Sequence, residues 1–79
     1  MTTQATEPFA RVITRTAYRA AREHIFPSDS SLEWFIRTNR RVLVEANALL
    51  VIGGRIMVIQ DAFDAAVFSI GHASVREVA

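Results

Sequence analysis

The sequence predicts a small, mainly α-helical domain with one β-hairpin, in the order helix, helix, hairpin, helix. Three observations predict it. Apolar residues recur at a period near 3.6 before and after the middle of the chain. Leu49-Leu50-Val51-Ile52 and Arg55-Ile56-Met57-Val58-Ile59 are β-branched apolar runs separated only by Gly53-Gly54, a pair suited to the positive φ angles of a tight two-residue turn. Pro27 and Gly71 punctuate the periodic segments where helices should end.

Residues 1–7 read as a polar, disordered arm, residues 8–71 as the single domain and residues 72–79 as a tail. Pro8 suits a first helical turn. Across residues 9–25 a helix is expected, with Phe9, Val12, Ile13, Thr16, Ala17, Ala20 and His24 on one face and Arg11, Arg15, Arg19 and Arg22 on the other. Phe26-Pro27 closes it. Ser30 and Glu33 have the spacing of a capping box. They open a second helix running to about Asn47, with Leu32, Phe35, Ile36, Val42, Leu43 and Ala46 inward. Asn39 falls on that side, as a buried, bonded amide or as the mark of a break at Thr38-Asn39; a single helix is the reading adopted. The hairpin register sets Ile52 opposite Arg55, Val51 opposite Ile56, Leu50 opposite Met57 and Leu49 opposite Val58. Asp61 caps a last helix over residues 62–70, with Phe63, Ala66, Val67 and Ile70 on one face. A lone hairpin is marginal in water, so one of its faces must pack on the helices.

A chain of 79 residues buries only about 60% of its unfolded surface. Its 51% hydrophobic content is generous for that size, and part of this apolar surface is expected to close in a homodimer. The sequence has no cysteine, which excludes disulfides and thiolate metal sites. The N-terminal residues lack the basic-then-apolar order of a signal peptide, and no apolar run approaches the ~20 residues that span a bilayer. A cytoplasmic protein with no membrane partner is expected.

The net charge is only +1, but all nine basic residues are Arg and none is Lys. The guanidinium fork fits phosphates and guanine edges. The codon usage of a GC-rich genome is the better account of the missing Lys, so the positions of the Arg residues carry the argument. On the outward face of the second helix Trp34, Arg37, Thr38 and Arg41 stand at i, i+3, i+4 and i+7, with Arg40 beside them. Such a stripe suits a recognition helix, its Arg side chains on guanine edges or phosphates and Thr38 on a phosphate or a thymine methyl. The plainer reading packs Trp34 against the first helix or the hairpin and leaves the Arg residues solvated. Arg55 at the hairpin tip either meets DNA or simply blunts an exposed turn. Arg15 and Arg19, within the first-helix stripe, add phosphate contacts in the first case. Only Glu23 lies close to that stripe in sequence, so internal ion pairing there is expected to be limited.

Enzyme chemistry finds little support. His24 and His72 lack converging ligands for a metal. Ser28, Ser30 and Ser31 are turn and cap residues, and Gly53-Gly54 is no phosphate-cradling loop. No catalytic residue, cofactor or metal is expected.

Three short motifs carry a family resemblance. Ser31-Leu32-Glu33-Trp34 at a helix start, Gly54-Arg55-Ile56-Met57-Val58 in the hairpin and Asp61-Ala62-Phe63 at the next helix start resemble small winged helix-turn-helix DNA-binding proteins of bacterial phages, plasmids and genomic islands, of the excisionase-like and MerR-like kind. The resemblance covers residues 27–70. It implies a winged helix-turn-helix-like fold in which the helix opening at Ser31 enters the major groove of double-stranded DNA and the hairpin is the wing. It also implies a role in transcription regulation or in bending DNA for recombination. The sequence departs from the pattern in two ways: one long Arg-striped helix replaces the usual short helix-turn ahead of the recognition helix, and the second helix is longer than usual. The alternative function is a protein-interaction module, an adaptor or inhibitor, docking through Trp34, Leu50, Ile52, Met57 and the last helix.

Overall fold

The computed structural model describes residues 9–78. The chain is mixed α/β: β1 (Val12–Thr14), α1 (Arg15–Ala21), α2 (Asp29–Thr38), α3 (Arg40–Glu45), β2 (Leu49–Ile52), β3 (Arg55–Ile59) and α4 (Gln60–Val78). The three strands form one antiparallel sheet in the order β1-β3-β2. The predicted arm at residues 1–7 lies outside the described residues.

The first predicted helix is corrected to a strand and a short helix. Val12, Ile13 and Thr14 are all β-branched, and they pair with Ile59, Val58 and Met57 of β3. This third strand covers the β3 edge of the hairpin, a gain no local pattern reveals, because Val12 and Ile13 also fit a helical face. The Thr14 hydroxyl then accepts from the Ala17 amide at 3.0 Å and starts α1. The predicted inner face is displaced accordingly. Tyr18 is fully buried, whereas Phe9, Thr16, Ala17, Ala20 and His24 are exposed.

The capping box of α2 is built two residues earlier than predicted. The Ser28 hydroxyl accepts from the Ser31 amide at 3.2 Å, and the Ser28 amide donates to the Ser31 hydroxyl at 3.3 Å. Ser28 is the first of three serines able to play this part, and its extended backbone (φ −143°, ψ 161°) decides it. The helix is also interrupted where a single one was expected. Asn39 leaves helical geometry (φ −115°, ψ 25°), and its half-buried side-chain amide donates to the Phe35 carbonyl at 3.0 Å. It is thus both the bonded amide and the break. Asn47 at φ 57° ends α3. Its amide bonds to the Val44 carbonyl and that of Ala48 to the Leu43 carbonyl, the paired bonds of a Schellman motif.

The hairpin has the register read from the sequence, Ile52 with Arg55 through Leu49 with Val58. Gly53 and Gly54 sit at φ 59° and 80°, which only a primed turn requires. The last helix starts at Gln60 and does not stop at Gly71; it continues to Val78. Gly71 has no positive φ, so it is an ordinary helical residue and not a C-cap. The predicted tail is therefore helical through residue 78.

The core lies between the inner face of the sheet and the helices. Tyr18, Phe26, Leu32, Ile36, Leu43, Ala48, Val58, Phe63 and Ala66 are buried, with Ile13, Phe35 and Leu49 packed against them. Four aromatic rings form its centre. Phe63 meets Tyr18 edge to face at 4.7 Å, and Phe26 meets Phe35 at 5.3 Å. Val42 and Ala46, expected inward, are exposed, because the break at Asn39 turns only Leu43 of α3 fully into the core.

Candidate nucleic-acid interface

Eight of the nine arginines divide into two sets; the ninth, Arg76 on α4, is exposed and forms no ion pair among the described residues. Those from Arg11 to Arg22 are paired with carboxylates; those from Arg37 to Arg55 form no ion pair among the described residues.

The paired set corrects the expectation of limited salt bridging. Its partners come from α2 and α4, on other elements of the fold. Arg11 contacts Asp61, and Arg15 lies 3.9 Å from Glu33. Arg19 Nε lies 3.0 Å from Asp29 Oδ1, yet no hydrogen bond forms along its N–H direction, so this contact is ionic. Arg19 Nη1 donates to the carbonyls of Pro27 and Phe26 at 3.1 and 3.4 Å, which ties α1 to the turn before α2. Arg22 donates from Nε and Nη2 to both oxygens of Asp64 at 2.6 Å, and its guanidinium stands 4.3 Å from the Tyr18 ring centre.

The Tyr18 hydroxyl donates to the same Asp64 carboxylate at 2.6 Å. Burial, reinforced by that bond, pushes the Tyr18 hydroxyl well above the usual phenol range. The hydrogen bonds from Arg22 hold Asp64 below the usual carboxylate range, and the same contact raises Arg22. These groups are a lock between α1 and α4.

The unpaired set lies on α2, α3 and the hairpin. Leu32 and Ile36 face the core, which turns Trp34, Arg37 and Thr38 outward on one stripe of α2. Trp34 is 59% exposed, so the reading that packs it against the first helix or the hairpin is corrected. Arg40 and Arg41 are exposed on α3, so the expected single-helix stripe that included Arg41 is corrected: the break at Asn39 divides it. Arg55 is exposed at the start of β3. Residues 37–59 hold four Arg against one Glu. The front of α2 carries Asp29 and Glu33, which would repel a polyanion. Each stands within ion-pair distance of an α1 arginine, Asp29 at 3.0 Å from Arg19 and Glu33 at 3.9 Å from Arg15.

Sequence reasoning missed Asp29, Glu33, Asp61 and Asp64 as arginine partners, and Tyr18 as the buried anchor of α1. For Asp61 and Asp64 the available signal was the excess of acidic residues in the last twenty positions, opposite in sign to the middle of the chain; for Asp29, Glu33 and Tyr18 the sequence offered none. Among the described residues no three His, Asp or Glu side chains converge as a metal site requires, and no helix is long and apolar enough to cross a membrane. No protein-family model, curated protein or solved structure matches this chain.

Proposed function

We propose that the protein binds double-stranded DNA as a winged helix-turn-helix-like domain and serves as a transcription regulator or recombination accessory factor. In this reading α2 is the recognition helix and the Gly53-Gly54 hairpin is the wing. Arg37, Arg40 and Arg41 meet bases or phosphates, Thr38 and Trp34 flank them, and Arg55 contacts the backbone beside them. The observation that carries the reading is the division of the arginines. Those of the middle of the chain are exposed and without carboxylate partners among the described residues, whereas Arg19 and Arg22 tie α1 to the turn before α2 and to α4.

Both departures from the winged-helix pattern are smaller in the folded chain. The helix ahead of α2 has seven residues and is followed by a turn, and the long second helix is divided at Asn39 after ten residues. Arg19 acts mainly by neutralising Asp29, and Arg15 offsets the charge of Glu33 while remaining available to the contact surface. The chemistry proposed is binding, not catalysis, and needs no cofactor.

The test is fluorescence polarisation on labelled duplexes from the DNA flanking the gene, at two salt concentrations. Wild type should bind, and its affinity should fall steeply with salt. Replacing Arg37 and Arg41 together by Ala should abolish binding with an unchanged melting temperature. Unchanged binding by that variant removes the recognition-helix proposal.

One observation favours a second reading, a protein-interaction module. Phe68 and Val75 on α4 are 75% and 62% exposed, and Ile25 beside Phe68 is 46% exposed. A homodimer closing on this surface is compatible with DNA binding; an adaptor or inhibitor would use it, or Trp34 and the hairpin, without DNA. An apolar dock keeps its affinity as salt rises, and phosphate contacts do not.

A further inference from the structure

A cleft opens between the hairpin turn and the start of α1, lined by Thr14, Arg15, Thr16, Gly54, Arg55 and Ile56. It brings together two guanidinium groups separated by forty residues of chain, two hydroxyls and no carboxylate. The Thr14 hydroxyl uses its lone pair to cap α1, which leaves its hydrogen to donate. Thr16 is exposed at the rim. Arg55 has no ion pair among the described residues, and the single carboxylate paired with Arg15, Glu33, is 3.9 Å away. Two donor forks and two hydroxyls around a cleft free of acid match a tetrahedral oxyanion.

We infer that this cleft seats one backbone phosphate of the bound duplex, gripped from one side by Arg15 and from the other by Arg55. The inference rests on the DNA-binding reading and extends it with a position. Arg15 also borders Glu33, one helical turn before Arg37 on α2. The phosphate therefore lies beside the proposed recognition stripe, and the strand that carries it passes between the wing and α1. Such a contact fixes the register of the protein on the duplex and carries no sequence information.

A double-mutant cycle on Arg15→Gln and Arg55→Gln tests it, with polarisation read on the flanking duplex and on a scrambled one. Arg55 is exposed and Arg15 gives up only a 3.9 Å contact with the exposed Glu33, so melting temperatures should stay near wild type. Each single variant should weaken both duplexes alike, by about tenfold, and reduce the slope of log affinity against log salt by about 0.9, the value for one phosphate. The double variant should lose no more than the worse single one, because both side chains hold the same group. Additive losses, or a slope reduced by about twice that amount, would mean two separate phosphates and overturn the inference. So would unchanged binding by both single variants. In either case the Arg37 and Arg41 result stands independently. A wild-type protein that binds neither duplex removes both readings together.

Discussion

Arg22 grips Asp64 through both carboxylate oxygens at 2.6 Å, across 42 positions of chain. This pair joins α1, which has only seven residues, to α4, and the buried Tyr18 hydroxyl donates to the same Oδ1 that Arg22 Nε contacts. A helix that short has little stability of its own. Its place in the fold depends on the Tyr18 ring in the core and on this lock.

Asp64→Ala leaves the Tyr18 hydroxyl and the half-buried Arg22 without their acceptor. The loss should be about 1–2 kcal/mol, below a fully buried case because the Asp64 carboxylate is partly solvated. That corresponds to a fall of roughly 5–15 °C in melting temperature, read by circular dichroism. A change within experimental error would show that the lock contributes nothing.

The same groups set the limits of stability against pH. Asp64 titrates below its ordinary value of 3.8 when folded, so between these values the unfolded chain binds more protons. Its contribution is present at neutral pH and disappears as pH falls through and below that range. Tyr18 titrates above its ordinary value of 10.0 when folded. Its contribution is complete below that value and is lost as pH rises beyond it. Denaturant melts across pH should show a loss at each end. Tyr18→Phe should flatten the alkaline one, and Asp64→Asn the acid one.

The hairpin turn separates backbone strain from steric clash. A Cβ added at Gly53 or Gly54 would meet nothing within 4 Å, so any cost comes from the positive φ alone. Gly54→Val should destabilise by about 1–2 kcal/mol. Gly53→Asn should be nearly neutral, because Asn tolerates the left-handed region and Asn-Gly favours this turn type. Equal losses for the two variants would contradict a turn governed by φ.

These contrasts follow how much of the molecule was legible in its sequence. The hairpin and its register could be read because the whole signal is local: two apolar runs of matched length and a glycine pair. Leu32, Ile36, Leu43, Phe63 and Ala66 could be read as inward because helical spacing fixes their faces. β1 could not be read, since Val12 and Ile13 suit a strand or a helix face and the choice is made by β3, more than forty residues away. The roles of Arg15, Arg19 and Arg22 were hidden for the same reason, because their carboxylates lie on other elements. Of the proposed DNA surface, the outward stripe on α2 was visible in the sequence. The cleft shared by Arg15 and Arg55 needed the sheet.

Trp34 offers a direct reading of the proposed surface. It is the single Trp of the chain, so fluorescence reports on one position. In the free protein its emission should be that of an indole in water and accessible to a small quencher. Binding of a duplex should shift or quench it and protect it from the quencher. Trp34→Ala should change stability by no more than about 0.5 kcal/mol, as for an ordinary surface site. A blue, protected emission in the free protein would instead place the ring in a core.

Gly71 provides the last test, one that separates a helix end from a helix interior. Were it a C-cap in the left-handed region, Ala would be strained there and the variant would lose stability. The structure places it within α4 without a positive φ and with nothing within 4 Å of an added Cβ. In that setting Ala is favoured over Gly by roughly 0.5–1 kcal/mol, because it restricts the unfolded chain and adds no clash. Gly71→Ala should therefore raise the melting temperature and the helical signal at 222 nm. A drop in either would restore the stop at residue 71. It would also remove the helical frame that holds His72 and Val75 beside Phe68, and with it the apolar surface available to a second protein chain.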